Sequence, residues 1–205
     1  MRTAARLLSV LLHPVFLPAI TLWAMITVDP GLAYFVPPDR RPIAVFMVAL
    51  MSAVFPLMSL HLLVRAGMIT SMELHQRRER PLAYAITLIY FGATWYLMHR
   101  TPFHPAVQAM LIGAFMALLL TLVITLRWKI SAHLVGMGGL IGAIAAVNSM
   151  HQLGLLPLLA VLIALTGLVA SARLLSSDHT QAQVLAGGVL GFISTWTCIL
   201  LLGSN

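Results

Sequence analysis

Seven stretches of this chain are almost uninterruptedly apolar: 7–28, 42–66, 82–98, 105–127, 133–150, 154–172 and 184–202. Their lengths bracket the ~20 residues that a helix needs to cross the ~30 Å hydrocarbon core of a bilayer. Lipid offers backbone N–H and C=O groups no partner, so each run is expected to be a helix. Charged residues make up only 8% of the 205, against about 25% in soluble domains. The expected fold is therefore all-α: a polytopic transmembrane bundle of about seven spans, with a six-span core as the near variant. It forms a single membrane domain over 1–205. The runs at 82–98 and 133–150 are short enough to be partly re-entrant. Turn or charge signals separate the runs, as in "DPG" at 29–31, "PPDRRP" at 37–42, "HRTPFHP" at 99–105 and "HQLG" at 151–154.

The formal net charge of +7 does not mark a nucleic-acid partner. The cations lie singly or in small groups at the ends of apolar runs, without a long basic tract or interleaved aromatics. Attraction to anionic lipid or phosphate fits them better. The single cysteine, Cys198, has no Cys partner for a disulfide or a zinc site, and reads as a small apolar residue. The N-terminus has the basic start of a signal peptide, but its apolar run is too long and no A-x-A-like site ends it. It reads as an uncleaved first span.

Seven spans bring the N-terminus and segments 67–81, 127–133 and 173–183 to one membrane face. Loops 29–41, 99–104 and 151–153 fall on the other. The convergent face carries Arg2, Arg6, Arg65, Arg77, Arg78, Arg80, Arg127, Lys129 and Arg173; the opposite face carries Arg40, Arg41 and Arg100. An excess of cations marks the cytoplasmic side, so the convergent face leans cytoplasmic. Six of its nine cations fall in segments that read as chemical, which leaves three against three as anchors.

Among the five acidic residues there is no D-x-x-x-D pair. This argues against magnesium-held diphosphate chemistry and against a hard-metal site. His133 and His179 have no evident third ligand for zinc, and no cofactor is expected. What remains is a group of cations with two histidines. Arg grips phosphate oxygens through paired hydrogen bonds and Lys adds a point charge. Histidine serves as nucleophile or general acid near neutral pH. Two histidines permit attack on phosphorus by one and protonation of the leaving oxygen by the other, with arginines neutralising charge.

Three segments, "ELHQRRERP" at 73–81, "ISAH" at 130–133 and "ARLLSSDHTQAQ" at 172–183, resemble a degenerate form of the type 2 phosphatidic acid phosphatase family. That family includes lipid phosphatases, vanadium haloperoxidases and bacterial acid phosphatases. Its pattern is K-x-x-x-x-x-x-R-P, then P-S-G-H, then S-R-x-x-x-x-x-H-x-x-x-D. Arg80-Pro81, Ser131, His133, Arg173 and His179 fall on matching positions, and the matched region covers 73–183. The resemblance implies that His179 is the nucleophile that forms a phosphohistidine and that His133 protonates the leaving group. Arg80, Arg173 and Ser131 would hold phosphate oxygens, without metal and with water as second substrate. It implies a phospholipid or polyprenyl phosphate as substrate; with the apolar composition, the expected location is integral to a membrane, a bacterial inner membrane.

The departures are specific. Glu73 stands at the family's Lys position, where Arg77, one helical turn on, or Lys129 could supply the missing cation. Ile130 and Ala132 replace Pro and Gly, and Ala172 replaces a Ser. Gln183 stands at the final Asp. It can orient His179 through its amide oxygen but brings no charge. The expected function is hydrolysis or transfer of a lipid phosphate. The alternative is a non-catalytic relative that binds an anionic headgroup, for which Gln183 and Glu73 speak. A transporter fits less well, because ionisable residues avoid the middles of the spans.

Other polar residues have simpler readings. Arg40, Arg41, Arg65 and Arg100 read as membrane anchors. Trp95, Tyr96 and Trp128 read as interfacial belt residues, and Asp178 as a charge at a helix N-terminus. Gly138 and Gly142, and Gly187 and Gly191, stand four apart where close helix packing would bring His133 and His179 together.

Overall fold

A computed structural model describes residues 12–74, 76–176 and 179–203. Arg2, Arg6, His75 and Asp178 lie outside the described residues. The described chain is helical: α1 Leu17–Val28, α2 Pro30–Tyr34, α3 Arg41–Arg65, α4 Arg80–His99, α5 Pro105–Thr125, α6 Ala132–His151, α7 Leu156–Leu175 and α8 Gln181–Leu202. Six of these, α3 to α8, are long and apolar enough to cross a membrane. The chain is an integral membrane protein. The runs at 82–98 and 133–150 form 20-residue helices, α4 and α6.

Of the first run, the described residues hold one helix, α1. α1 has 12 residues, about 18 Å at 1.5 Å per residue. Pro14 precedes it in a turn and Pro18 occupies its first turn, where the missing N–H costs nothing. Even so, this segment traverses the bundle beside α6. His13 packs against His133 at the start of α6, and Asp29 pairs with His151 at its end. Buried Asp29 also caps α2 by accepting from the Gly31 and Leu32 amides at 2.8 and 3.3 Å.

Proline shapes α3 as well. A π-turn, Leu50–Val54, interrupts it just before Pro56. Pro56 has no N–H to donate to the preceding turn, and the wider turn relieves the ring's clash there. Ser52, within the π-turn, donates to the Val15 carbonyl at 3.0 Å and fixes the segment that carries His13.

α6 is the central helix, with ten buried residues from Leu134 to Val147. All four glycines noted above lie where it meets α8. A Cβ on Gly138 would come within 2.0 Å of the Gly188 carbonyl oxygen, and one on Gly142 within 2.5 Å of that of Phe192. The backbones touch, and the first turns of α6 and α8 are held side by side.

Two expected anchors have other partners. Arg41 donates to the Ala33 and Val36 carbonyls at 2.9 and 3.0 Å, closing the end of α2. Arg100 bonds Tyr96 Oη at 3.1 Å and sits 5.1 Å from its ring centre. Trp95 is half-buried and stacks on His99, whereas Tyr96 and Trp128 are exposed.

Candidate functional site

The expected convergence appears as one cavity with room of about 160 Å³ for water-sized centres, walled at one end of the bundle by His13, Arg80, His133, Arg173 and His179. The last four arrive at helix ends. Arg80 opens α4, with Pro81 in its first turn. His133 is the second residue of α6, Arg173 lies in the last turn of α7, and His179 immediately precedes the N-cap of α8.

Arg80 is 5% exposed. Its Nε donates to the Leu74 carbonyl at 2.9 Å and its Nη1 to that of Ile130 at 3.4 Å. It also bonds the Tyr84 hydroxyl one turn along α4. The cation is thus held by segments 74 and 130 and by its own helix. A charge buried this far requires such partners.

His179 is buried, and its Nδ1 lies 3.3 Å from both the Lys129 carbonyl and Gln183 Oε1. Both neighbours are acceptors. The Gln183 amide oxygen is fixed because it also accepts from the Thr180 amide at 3.1 Å, while Thr180 Oγ1 accepts from Gln183 N at 3.4 Å. This capping box at the start of α8 therefore sets the histidine tautomer as well. Nδ1 carries the proton, and Nε2, across the ring, keeps its lone pair.

Burial pushes the His179 pKa down to about 4, and the nearby charges of Arg80, Arg173 and Lys129 push in the same direction against the Gln183 hydrogen bond. The imidazole is neutral near pH 7 and sits in a positive field. That field suits an anion, with Glu73 the acidic residue in the wall.

The remaining expected site residues stand apart from the cavity wall. Lys129 acts through its carbonyl and its field on His179. Ser131 is fully buried as the N-cap of α6; its amide donates to the Gln183 carbonyl at 3.3 Å, and its Oγ has no hydrogen-bond partner among the described residues. Gln183 lies behind His179. Arg77 turns elsewhere, donating to the Thr125 carbonyl at 3.3 Å and to that of Leu126, so it closes the C-terminus of α5. Glu79 accepts from Thr70 N and Oγ1 at 3.0 and 3.1 Å and pins the loop before α4. Among the described residues no three His, Cys, Asp or Glu side chains gather as metal ligands.

His13 and Tyr84 are wall residues with no counterpart in the motif pattern. His13 packs edge-on against His133, ring centres 5.3 Å apart, and Tyr84 bonds Arg80. The signals available in the sequence were a histidine before proline inside an apolar run, and a tyrosine four residues after a motif arginine. No protein-family model, curated protein or solved structure matches the chain.

Proposed function

We propose that the chain is a membrane lipid phosphatase or phosphotransferase that works through a phosphohistidine on His179. The observation that carries this reading is the setting of His179: two acceptors at Nδ1, which leave Nε2 its lone pair, and three cations acting on one ring. Nε2 attacks phosphorus and the bond from phosphorus to the lipid oxygen breaks. That oxygen takes a proton from His133. Water then attacks the phosphohistidine and returns a proton to His133, releasing inorganic phosphate; an alcohol in place of water gives transfer. Arg80 and Arg173 neutralise the oxygens in flight. Membrane lipids supply the substrate, a phospholipid or polyprenyl phosphate. On the cation count the site opens at the cytoplasmic leaflet.

A second reading is supported by Gln183, which holds His179 without a negative charge, and by Glu73 in the wall: a relative that binds an anionic headgroup and does not turn it over. The two separate in one experiment. The purified protein, in detergent with a chelator, receives phosphatidic acid or polyprenyl diphosphate. Release of inorganic phosphate is the expected result. Thermal protection by the lipid without release would replace catalysis by binding.

A further inference from the structure

The cavity continues past the histidines into the bundle. Thr21, Thr87 and Thr121 line it from α1, α4 and α5, and their hydroxyls donate to the Leu17, Ala83 and Ala117 carbonyls one turn back at 2.7, 2.8 and 2.7 Å. With the hydroxyls engaged, these walls offer methyl groups. Leu17, Leu60 and Leu140 add apolar surface from α1, α3 and α6, and all three are at least 93% buried from the outside of the bundle. Helices α1, α3, α4, α5 and α6 line the chamber, and Met72 and Glu73 in its wall are exposed.

Its depth follows from the lining. The lining runs from Arg80 to Phe91 along α4 and from Met110 to Thr121 along α5. Either stretch rises about 16 Å at 1.5 Å per residue, close to half of the ~30 Å hydrocarbon core. The cationic end sits where headgroups lie, and the floor at Phe91 and Met110 falls near the bilayer midplane.

We infer that one hydrocarbon tail of the lipid phosphate enters this chamber, and that the floor limits the part of the tail that the chamber holds to about one leaflet. The inference rests on the lipid-phosphate reading above and deepens it. An extended chain advances about 1.2 Å per bond, judged from the 3.3–3.6 Å of a three-bond residue. The floor is then met by a tail of dodecyl to tetradecyl length.

The test uses n-alkyl phosphates from butyl to octadecyl, each at a fixed mole fraction in detergent micelles. kcat/KM is expected to climb with tail length, by less per methylene than the about fourfold of transfer from water (~0.8 kcal/mol), because the micelle already shields the tail. It should level off at the floor length. Ala114→Trp, on the chamber wall, should lower the tetradecyl-to-butyl ratio at least tenfold, and Phe91→Ala should move the break to longer tails. Opposite shifts in two variants are not produced by general damage to the fold. A length dependence that neither variant moves would overturn the inference and leave the tail in the surrounding lipid. Alkylphosphonates, which cannot release phosphate, separate the two claims. Thermal protection that follows tail length and is lost in Ala114→Trp, with no hydrolysis of the phosphates, upholds the chamber and overturns the catalytic reading. Hydrolysis without length dependence does the reverse.

Discussion

His179→Ala is expected to reduce phosphate release by at least about ten-thousandfold, the scale on which removal of a covalent nucleophile acts. Lipid binding should survive, because Arg80 and Arg173 remain in the wall. The companion change, Gln183→Glu, should act in the opposite direction. Glu has the length of Gln and can still accept from the Thr180 amide, so the cap on α8 is kept. It places a negative charge beside Nδ1, now 3.3 Å from the Gln183 oxygen, which stabilises the ring as it becomes cationic on attack. Replacing the equivalent Asp by Asn in a catalytic triad costs about 10⁴-fold; recovering even part of that should raise kcat at least about tenfold. The pH profile gives a second readout. His179, lowered to about 4, stays unprotonated as pH falls from 7 to 5, so its acid limb lies near pH 4. An ordinary histidine, at about 6.5, would lose its lone pair over that interval. In Gln183→Glu the added charge raises the pKa, and the acid limb should move to higher pH. An unchanged rate in His179→Ala, or an acid limb near 6.5 in the parent protein, would contradict the assignment.

Gly191→Ala is expected to be the most damaging small substitution in the membrane. Its new methyl would meet the Val135 carbonyl oxygen at 1.8 Å and the Gly139 amide nitrogen at 2.9 Å. Both are backbone atoms of α6, so no rotamer change relieves the overlap and the helices must separate. Overpacking of this kind costs roughly 1–3 kcal/mol, and more where backbone must shift. It also moves the ends that carry His133 and His179, so activity should fall together with thermal stability in detergent. Gly188→Ala, three residues away on the same helix, is the control. A Cβ there meets nothing within 4 Å, and Ala is the better helix former by ~1 kcal/mol. The melting temperature should hold or rise. Equal effects from the two substitutions would mean that α6 and α8 are not in backbone contact.

The transmembrane scaffold was legible because lipid enforces it. Any run of sufficient length and apolarity must close its own hydrogen bonds, and helices follow at every one of the seven. Hydropathy does not register proline geometry, so neither the break around Pro14 ahead of α1 nor the π-turn ahead of Pro56 could be read. The meeting of segments 73–81, 130–133 and 172–183 followed from parity: alternate crossings return to the same face. What parity leaves open is direction. Within "QRRER", Arg77 and Arg80 look interchangeable, yet one bonds the end of α5 and the other enters the cavity, because a single 3₁₀ turn, Arg77–Glu79, rotates them apart. Likewise Lys129 and Ser131 lie on the turn before α6, where the backbone presents a carbonyl to His179 and sends the serine hydroxyl inward. His13 was missed because a lone histidine in an apolar run carries no spacing to match; only packing against His133 places it.

The most direct test of the account is a search for the covalent intermediate. Purified protein is mixed with a lipid phosphate carrying ³²P, quenched in alkali within one turnover, and digested for mass spectrometry. A base-stable, acid-labile phosphoryl group on the peptide that contains His179, absent in His179→Ala, is the predicted result. Phosphate release that proceeds with no label on His179 at any quench time would contradict it.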